Sequence, residues 1–415
     1  MMAGAPDPPW GWRAQGPALG SLPEAEKWRR AMTGSIGPLV AADEFFNHQI
    51  VDTHASVLQT DHAWTEKVCG MACARDGSMS VNFGFGKYVN RNVVDGYGGA
   101  SRGVQQWSVR ASRALDADPD RIDVGPLRYE VVEPLRRVRI ALERNATQPL
   151  AYELELEGRV PCALEEREDR RTLTGYRRSA DQLRYHQVGV ARGWVELEGR
   201  RIDVTPQGWV MTRDHSWGVR PAVGAPLADL QPDPMDAQAP RVLAVWNPVL
   251  FSTATGDDYA FMQYYLVYAG DGWRHEKVQG GFEFADGRRE PLARLDPRLR
   301  FDARNKRLLG GEFALAMADG SARSLAVRVL GDTGFHLGAG LYHGFDGRYH
   351  GQWRGRLAVD GEHFADCSTP EAVARLNQFR DCLVELRDSA TGATGIGNCQ
   401  TWVQGRWPEL GLPDG

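Results

Sequence analysis

Asp-Gly steps punctuate this chain, among them those at 76–77, 95–96, 271–272, 286–287, 319–320, 346–347 and 360–361. Asp-Gly suits the positive φ angles of tight two-residue turns, so a chain marked this often is expected to fold as antiparallel hairpins. The flanking segments agree. Tyr152, Leu154 and Leu156 are apolar where Glu153, Glu155 and Glu157 are charged, and Leu325, Val327 and Val329 alternate with Ala326 and Arg328. Each reads as a strand with one wet face. Helix signals are few. Ser21-Leu22-Pro23-Glu24 is a capping-box pattern that opens a short helix ending near Gly34. Thr369-Pro370 opens a second, expected to run to about Arg380, and segments 382–387 and 394–404 read as a final hairpin.

At 415 residues the chain exceeds the roughly 250–300 at which one core usually splits. Two domains are expected: a tail and short helix over 1–35, then domains over 36–222 and 223–415. The stretch 221–240 is rich in Pro, Ala and Asp, lacks periodicity, and is the linker candidate. The net charge of −5 argues against a nucleic-acid partner or an anionic membrane surface. The first 22 residues lack the apolar core of a signal peptide, and no run reaches the roughly 18–20 apolar residues of a membrane span. A cytoplasmic protein is expected. Cys69, Cys73, Cys162, Cys367, Cys382 and Cys399 are scattered without metal-like spacing and are expected to be free thiols.

The segment Asp214-His215-Ser216-Trp217-Gly218-Val219-Arg220 closes a strand-like run that begins at Gly208. Alternation puts Trp209, Met211, Arg213, His215 and Trp217 on one face. An imidazole beside an indole inside a barrel suits acid–base chemistry, or stabilisation of a cation on an apolar ligand. The plainer reading makes His215 a satisfied core residue and Trp217 a barrel plug. Asp214 would face away and anchor the turn. Arg213 and Arg220 could hold a carboxylate or simply pair with acids. Glu66 stands beside Trp64; burial would raise its pKa into the range of a working acid, although a strand-edge Glu is the simpler expectation. Gln263 and Tyr265 share a strand face and could point into the second barrel. His343 and His350 would pair across the 346–347 turn, but His336 falls outside that hairpin and no third ligand is fixed, so no metal is expected. No phosphate-cradling Gly-rich loop opens a helix, and no cofactor is expected.

The order Gly193-Trp194-Val195-Glu196-Leu197-Glu198-Gly199, Gly208-Trp209 and Asp214-His215-Ser216-Trp217-Gly218 resembles the carotenoid hydratase and AttH-like superfamily, which also looks related to fungal Diels–Alderases and kievitone hydratase. The resemblance spans roughly residues 60–405, with motif support at 193–220. It implies an all-β fold of two lipocalin-like antiparallel β-barrels with a few short helices. It implies that His215 and Trp217 match the pocket His and Trp of the hydratases. The aspartate those hydratases use in a downstream Tyr-Asp strand has no counterpart: anchored on Asp271-Gly272, Tyr265 takes the Tyr place and Leu266 the Asp place. The function implied is a cofactor-independent lyase or isomerase (a hydratase, dehydratase or cyclase) acting on an isoprenoid- or polyketide-like substrate. His215 and Tyr265 would be its acid–base groups and Trp217 its cation-facing ring. Trp64, Glu66, Trp209, Arg213, Asp214 and Gln263 would line the substrate. The expected partner is a small hydrophobic molecule in a pocket at the domain junction, near 209–220 and 259–268. The alternative is a non-catalytic carrier of hydrophobic ligands, which Leu266 in the acid's place favours.

Overall fold

The computed structural model describes residues 39–46, 48, 60–116, 118, 121–171, 178–231, 241–252, 257–270 and 272–412. The helix expected at 21–34 and the linker residues 232–240 lie outside them. Strand makes up 60% of the structure and helix 6%, which fixes the class as all-β. Four Asp-Gly steps close turns, with Gly77, Gly287, Gly320 and Gly347 at φ between 73° and 88°; Asp271 lies outside the described residues. The steps at 95–96 and 360–361 instead lie inside the strands Val93–Arg102 and Leu357–Phe364. Their glycines are spent on close approach rather than on turning. A Cβ on Gly361 would sit 2.0 Å from the Ser108 carbonyl oxygen of the neighbouring strand.

The strands form two antiparallel sheets. The first runs in the order Leu357–Phe364, Gln105–Ala114, Val93–Arg102, Ser80–Tyr88, Trp64–Ala74, Trp209–Val219, Arg178–Leu197, Leu150–Gly158, Arg137–Leu142 and Leu127–Glu133. It curls into a half-barrel around an apolar core that includes Phe83, Phe85, Val109, Leu154 and Met211. The alternation over 152–157 holds: Tyr152, Leu154 and Leu156 are buried and the intervening glutamates are not.

The second sheet closes on itself. Tyr259–Gly270 pairs with Trp273–Phe284 on one side and with Val249–Phe251 on the other, completing an eight-stranded barrel through 289–301, 308–317, 322–329, 383–388 and 394–398. Phe261, Phe282, Phe313 and Leu325 fill it. The expected final hairpin is split at Cys399: Thr394–Asn398 belongs to the barrel, while Gln400–Gln404 pairs with Arg241–Trp246.

The late helix starts as expected, with Thr369 Oγ1 accepting from the Ala372 N–H at 3.2 Å. It ends at Arg375 rather than near Arg380, because Phe379–Asp381 is drawn into pairing with Gln400–Gln404. The sheets do not divide where the chain does. Leu357–Phe364, from the second half, forms the outer edge of the first sheet. Arg110 secures it, with Nη1 and Nη2 donating to the Glu362 carboxylate at 2.8 and 2.6 Å and Nε to Asp360 Oδ1 at 2.8 Å.

Candidate functional site

Strand register decides which side chains meet. Trp209–Val219 lies between Trp64–Ala74 and Arg178–Leu197, with Trp217 opposite Glu66 and His215 opposite Tyr185. Side chains two apart share a face, so Glu66, Tyr185, Gln187, Arg213, His215 and Trp217 all emerge on the inner side of the half-barrel. A 3-10 turn at Ala41–Glu44 and the residues after it lie against that face and bring Asp43, Glu44, Phe46 and His48 to it.

These groups form one continuous polar chain. Arg213 grips Glu44 with both terminal nitrogens, at 2.6 and 2.8 Å. The Tyr185 hydroxyl donates to Glu44 Oε1 at 2.8 Å and lies 3.0 Å from His215 Nδ1. His215 Nε2 is 2.9 Å from Glu66 Oε1, and His48 Nδ1 is 2.5 Å from the same oxygen. His48 Nε2 reaches Asp43 Oδ1 at 3.1 Å. The surroundings are aromatic. Phe46 lies 5.1 Å from the His215 ring, and His48 stacks on Trp217 at 3.7 Å between centroids. The Glu66 and His215 side chains are fully buried, whereas those of Asp43 and His48 keep 22% and 9% exposure, so the chain meets solvent at that end.

Burial alone would push the Glu66 carboxyl up, but the hydrogen bonds from His215 and His48 outweigh it and hold it down at about 2. Burial likewise disfavours charge on His48, yet its bonds to Asp43 and Glu66 push it up to about 9. For His215 burial wins: its pKa falls below the ordinary imidazole value despite Glu66. Glu66 therefore does not have the raised pKa expected of a lone acid in an aromatic setting, because it is not alone. What the arrangement offers is a carboxylate flanked by one imidazole held cationic and one held neutral. The buried indole N–H groups of Trp64 and Trp217 find no acceptor among the described residues.

Of the residues singled out by motif, Glu66, Arg213, His215 and Trp217 are brought together. Trp64 packs on Val219 at the end of the same strand pair, and Trp209 belongs to the half-barrel core. Asp214 lies on the opposite face, in register with Cys69 and His186; burial pushes its carboxyl up to about 6. Gln263 and Tyr265 sit in the second barrel rather than beside His215. The Tyr265 hydroxyl accepts from Arg274 at 3.3 Å, and Gln263 is buried with neither amide atom bonded among the described residues. The face of Trp217 expected to meet a substrate cation carries the His48 ring. The anticipated 343–350 pair is not formed: His343 stacks on Trp402, and His350 meets Tyr88 and Lys67. Among the described residues, the side chains that could hold a metal ion are His48, Glu66 and His215.

A second polar cluster joins the two sheets. His186 lies between Glu165, 3.1 Å from Nδ1, and Glu283, 3.0 Å from Nε2, beside a cleft of about 180 Å³ also lined by Met262, Gln279 and Phe282.

Asp43, Glu44, His48, Tyr185 and His186 carry no motif. Of these, only Tyr185 offered a signal, as a polar residue on the same alternation as a core-facing strand.

Three solved structures align with this chain at low similarity. An AttH-like protein of Nitrosomonas europaea aligns with a TM-score of 0.49 and 11% identity, over 86% of this chain and 99% of its own. Kievitone hydratase of Nectria haematococca gives 0.38 and 9%, over 87% and 97%, and CghA gives 0.44 and 15%, over 85% and 89%. At such values the likeness assigns no role to any residue. No curated protein matches the chain. The model of the family of unknown function DUF8625 matches residues 39–412, and the chain belongs to that family.

Proposed function

We propose that this protein is a lyase or isomerase that adds water to, removes water from, or cyclises an apolar isoprenoid- or polyketide-like molecule by proton transfer on the inner face of the half-barrel. One observation carries the reading: a single buried carboxylate, Glu66, is shared by two imidazoles inside an aromatic shell. Burying three ionisable groups in an apolar interior is expensive unless each is paired, and such clusters concentrate at sites of chemistry. His48 is the proton donor nearest solvent, Glu66 couples the two rings, and His215 receives. Trp217 holds the donor ring in place, and the free indole N–H groups of Trp64 and Trp217 orient a substrate hydroxyl or carbonyl. Phe46, Phe85 and Tyr129 make the surroundings apolar, which favours a hydrophobic substrate over a charged one.

The test is incubation of the wild-type protein in D₂O with a panel of terpenoid and polyketide alkenes and alcohols, read by mass spectrometry. Enzymatic proton transfer places deuterium on substrate carbon as product forms. Tight binding of panel members with neither product nor deuterium uptake would assign the protein instead as a carrier.

A further inference from the structure

We propose that His48 Nδ1, Glu66 Oε1 and His215 Nε2 form a binding site for one zinc-type divalent ion. The three atoms lie within 4.8 Å of one another. Two imidazoles and one carboxylate form a recognised zinc ligand set that leaves a coordination position for water or a substrate oxygen.

The far side of each ring supports the assignment. A metal-bound imidazole usually anchors its second nitrogen on an oxygen, which fixes the tautomer and turns the lone pair toward the metal. Both rings do this here. His48 Nε2 faces the Asp43 carboxylate, which can only accept, so that nitrogen carries a proton. The Tyr185 hydroxyl gives its proton to Glu44 Oε1, leaving its oxygen to accept from His215 Nδ1. Each ring therefore has its remaining nitrogen directed at one oxygen, Glu66 Oε1, at 2.5 and 2.9 Å. Without an ion, the cationic His48 ring fills this place with its Nδ1 proton; a divalent ion would replace that proton and take both imidazole lone pairs together with the carboxylate oxygen.

The fixed charges count the same way. Asp43, Glu44 and Glu66 supply three negative charges and Arg213 one positive, leaving two to be balanced. Two imidazole protons or one divalent cation would do so. Ligand atoms about 2.0–2.2 Å from a tetrahedral ion sit roughly 3.3 Å apart. The two contacts would open by less than about 1 Å, within reach of small side-chain rotations.

The inference goes beyond the functional reading and rests on the same residues: an ion on these atoms would take the place of the protons they exchange, so the metal-bound and proton-transferring forms are alternative states of one cluster. It is measured without substrate, so either can fail alone. Full-length protein stripped with chelator is titrated with Co²⁺, followed by its visible d–d absorption, and with Zn²⁺ against a chromophoric chelator. One equivalent of each is expected to bind. His48→Ala and Glu66→Gln are each expected to weaken binding at least about 100-fold, and Asp43→Asn about 10–100-fold. His186→Ala, in the other cluster, is expected to leave it unchanged. Circular dichroism and melting curves establish that each variant is folded. No saturable one-to-one binding by the wild type, or undiminished binding by folded His48→Ala, overturns the proposal.

Discussion

The imidazole of His48 lies flat on the indole of Trp217, with centroids 3.7 Å apart and planes 13° apart. The contact fastens the segment after the 3-10 turn to the strand that carries His215. It also gives Trp217 a partner within the protein in place of the substrate cation that its motif suggests. Trp217→Phe keeps a smaller ring with a weaker face. It is expected to destabilise the fold by about 1–2 kcal/mol, read from urea unfolding, without changing the strand spectrum.

Arg213 and Glu44 are both buried and bonded through two contacts. Removing one partner strands the other charge in an apolar interior, which costs about 3–5 kcal/mol. Arg213→Met and Glu44→Leu should each reach that range in chemical denaturation. The double variant should cost well below their sum, because no charge is left without a partner. Additive losses would contradict the pairing.

His186 gives the stability a defined pH dependence. Burial opposes its charge, but Glu283 and Glu165 push its pKa up from 6.5 to about 9. Arg184 binds Glu165, and Arg289 lies 3.8 Å from Glu283. A group whose pKa is raised on folding stabilises most below its unfolded value, and that contribution is lost as pH rises through the folded one. Wild-type stability should therefore fall between about pH 6.5 and 9, by up to roughly 3 kcal/mol. His48, raised to about 9 as well, contributes over the same range, so His186→Gln should make this part of the curve shallower without abolishing it in denaturant titrations run across that range.

The placement of Leu357–Phe364 bears on the expected division at 222/223. A fragment of residues 36–222 lacks that strand and exposes the Gln105–Ala114 edge, and unpaired edges recruit other chains. It should aggregate or form multimers on size exclusion where the full chain does not. In the full chain, Arg110→Ala should increase amide exchange over 357–364 before other strands of the first sheet.

The all-β class was legible because its signals are local. Asp-Gly turns and period-two patterns such as Tyr152–Glu157 report on a few residues at a time. The same locality misled at Asp95-Gly96 and Asp360-Gly361, where glycine admits a neighbouring backbone that no local pattern announces. At the site, alternation along 209–217 placed Arg213, His215 and Trp217 on one face, and Glu66 was picked out through its neighbour Trp64. Glu44 and His48 were not legible. They meet Arg213 and Glu66 across separations of 169 and 18 residues, from a segment with no strand or helix periodicity. The low pKa of Glu66 follows from His48 together with His215, which strand register brings beside it. Tyr265 was placed by analogy of position, and the barrel that carries it closes around its own core.

The central claim, that Glu66 and His215 are reacting groups, is tested most directly by turnover of Glu66→Gln and His215→Gln on the first substrate the panel yields, with melting curves run alongside. Both variants should retain folding and substrate binding while the rate falls by about 10²–10⁴-fold, the usual loss on removing a general acid or base. A folded Glu66→Gln protein that turns over at the wild-type rate would contradict the claim.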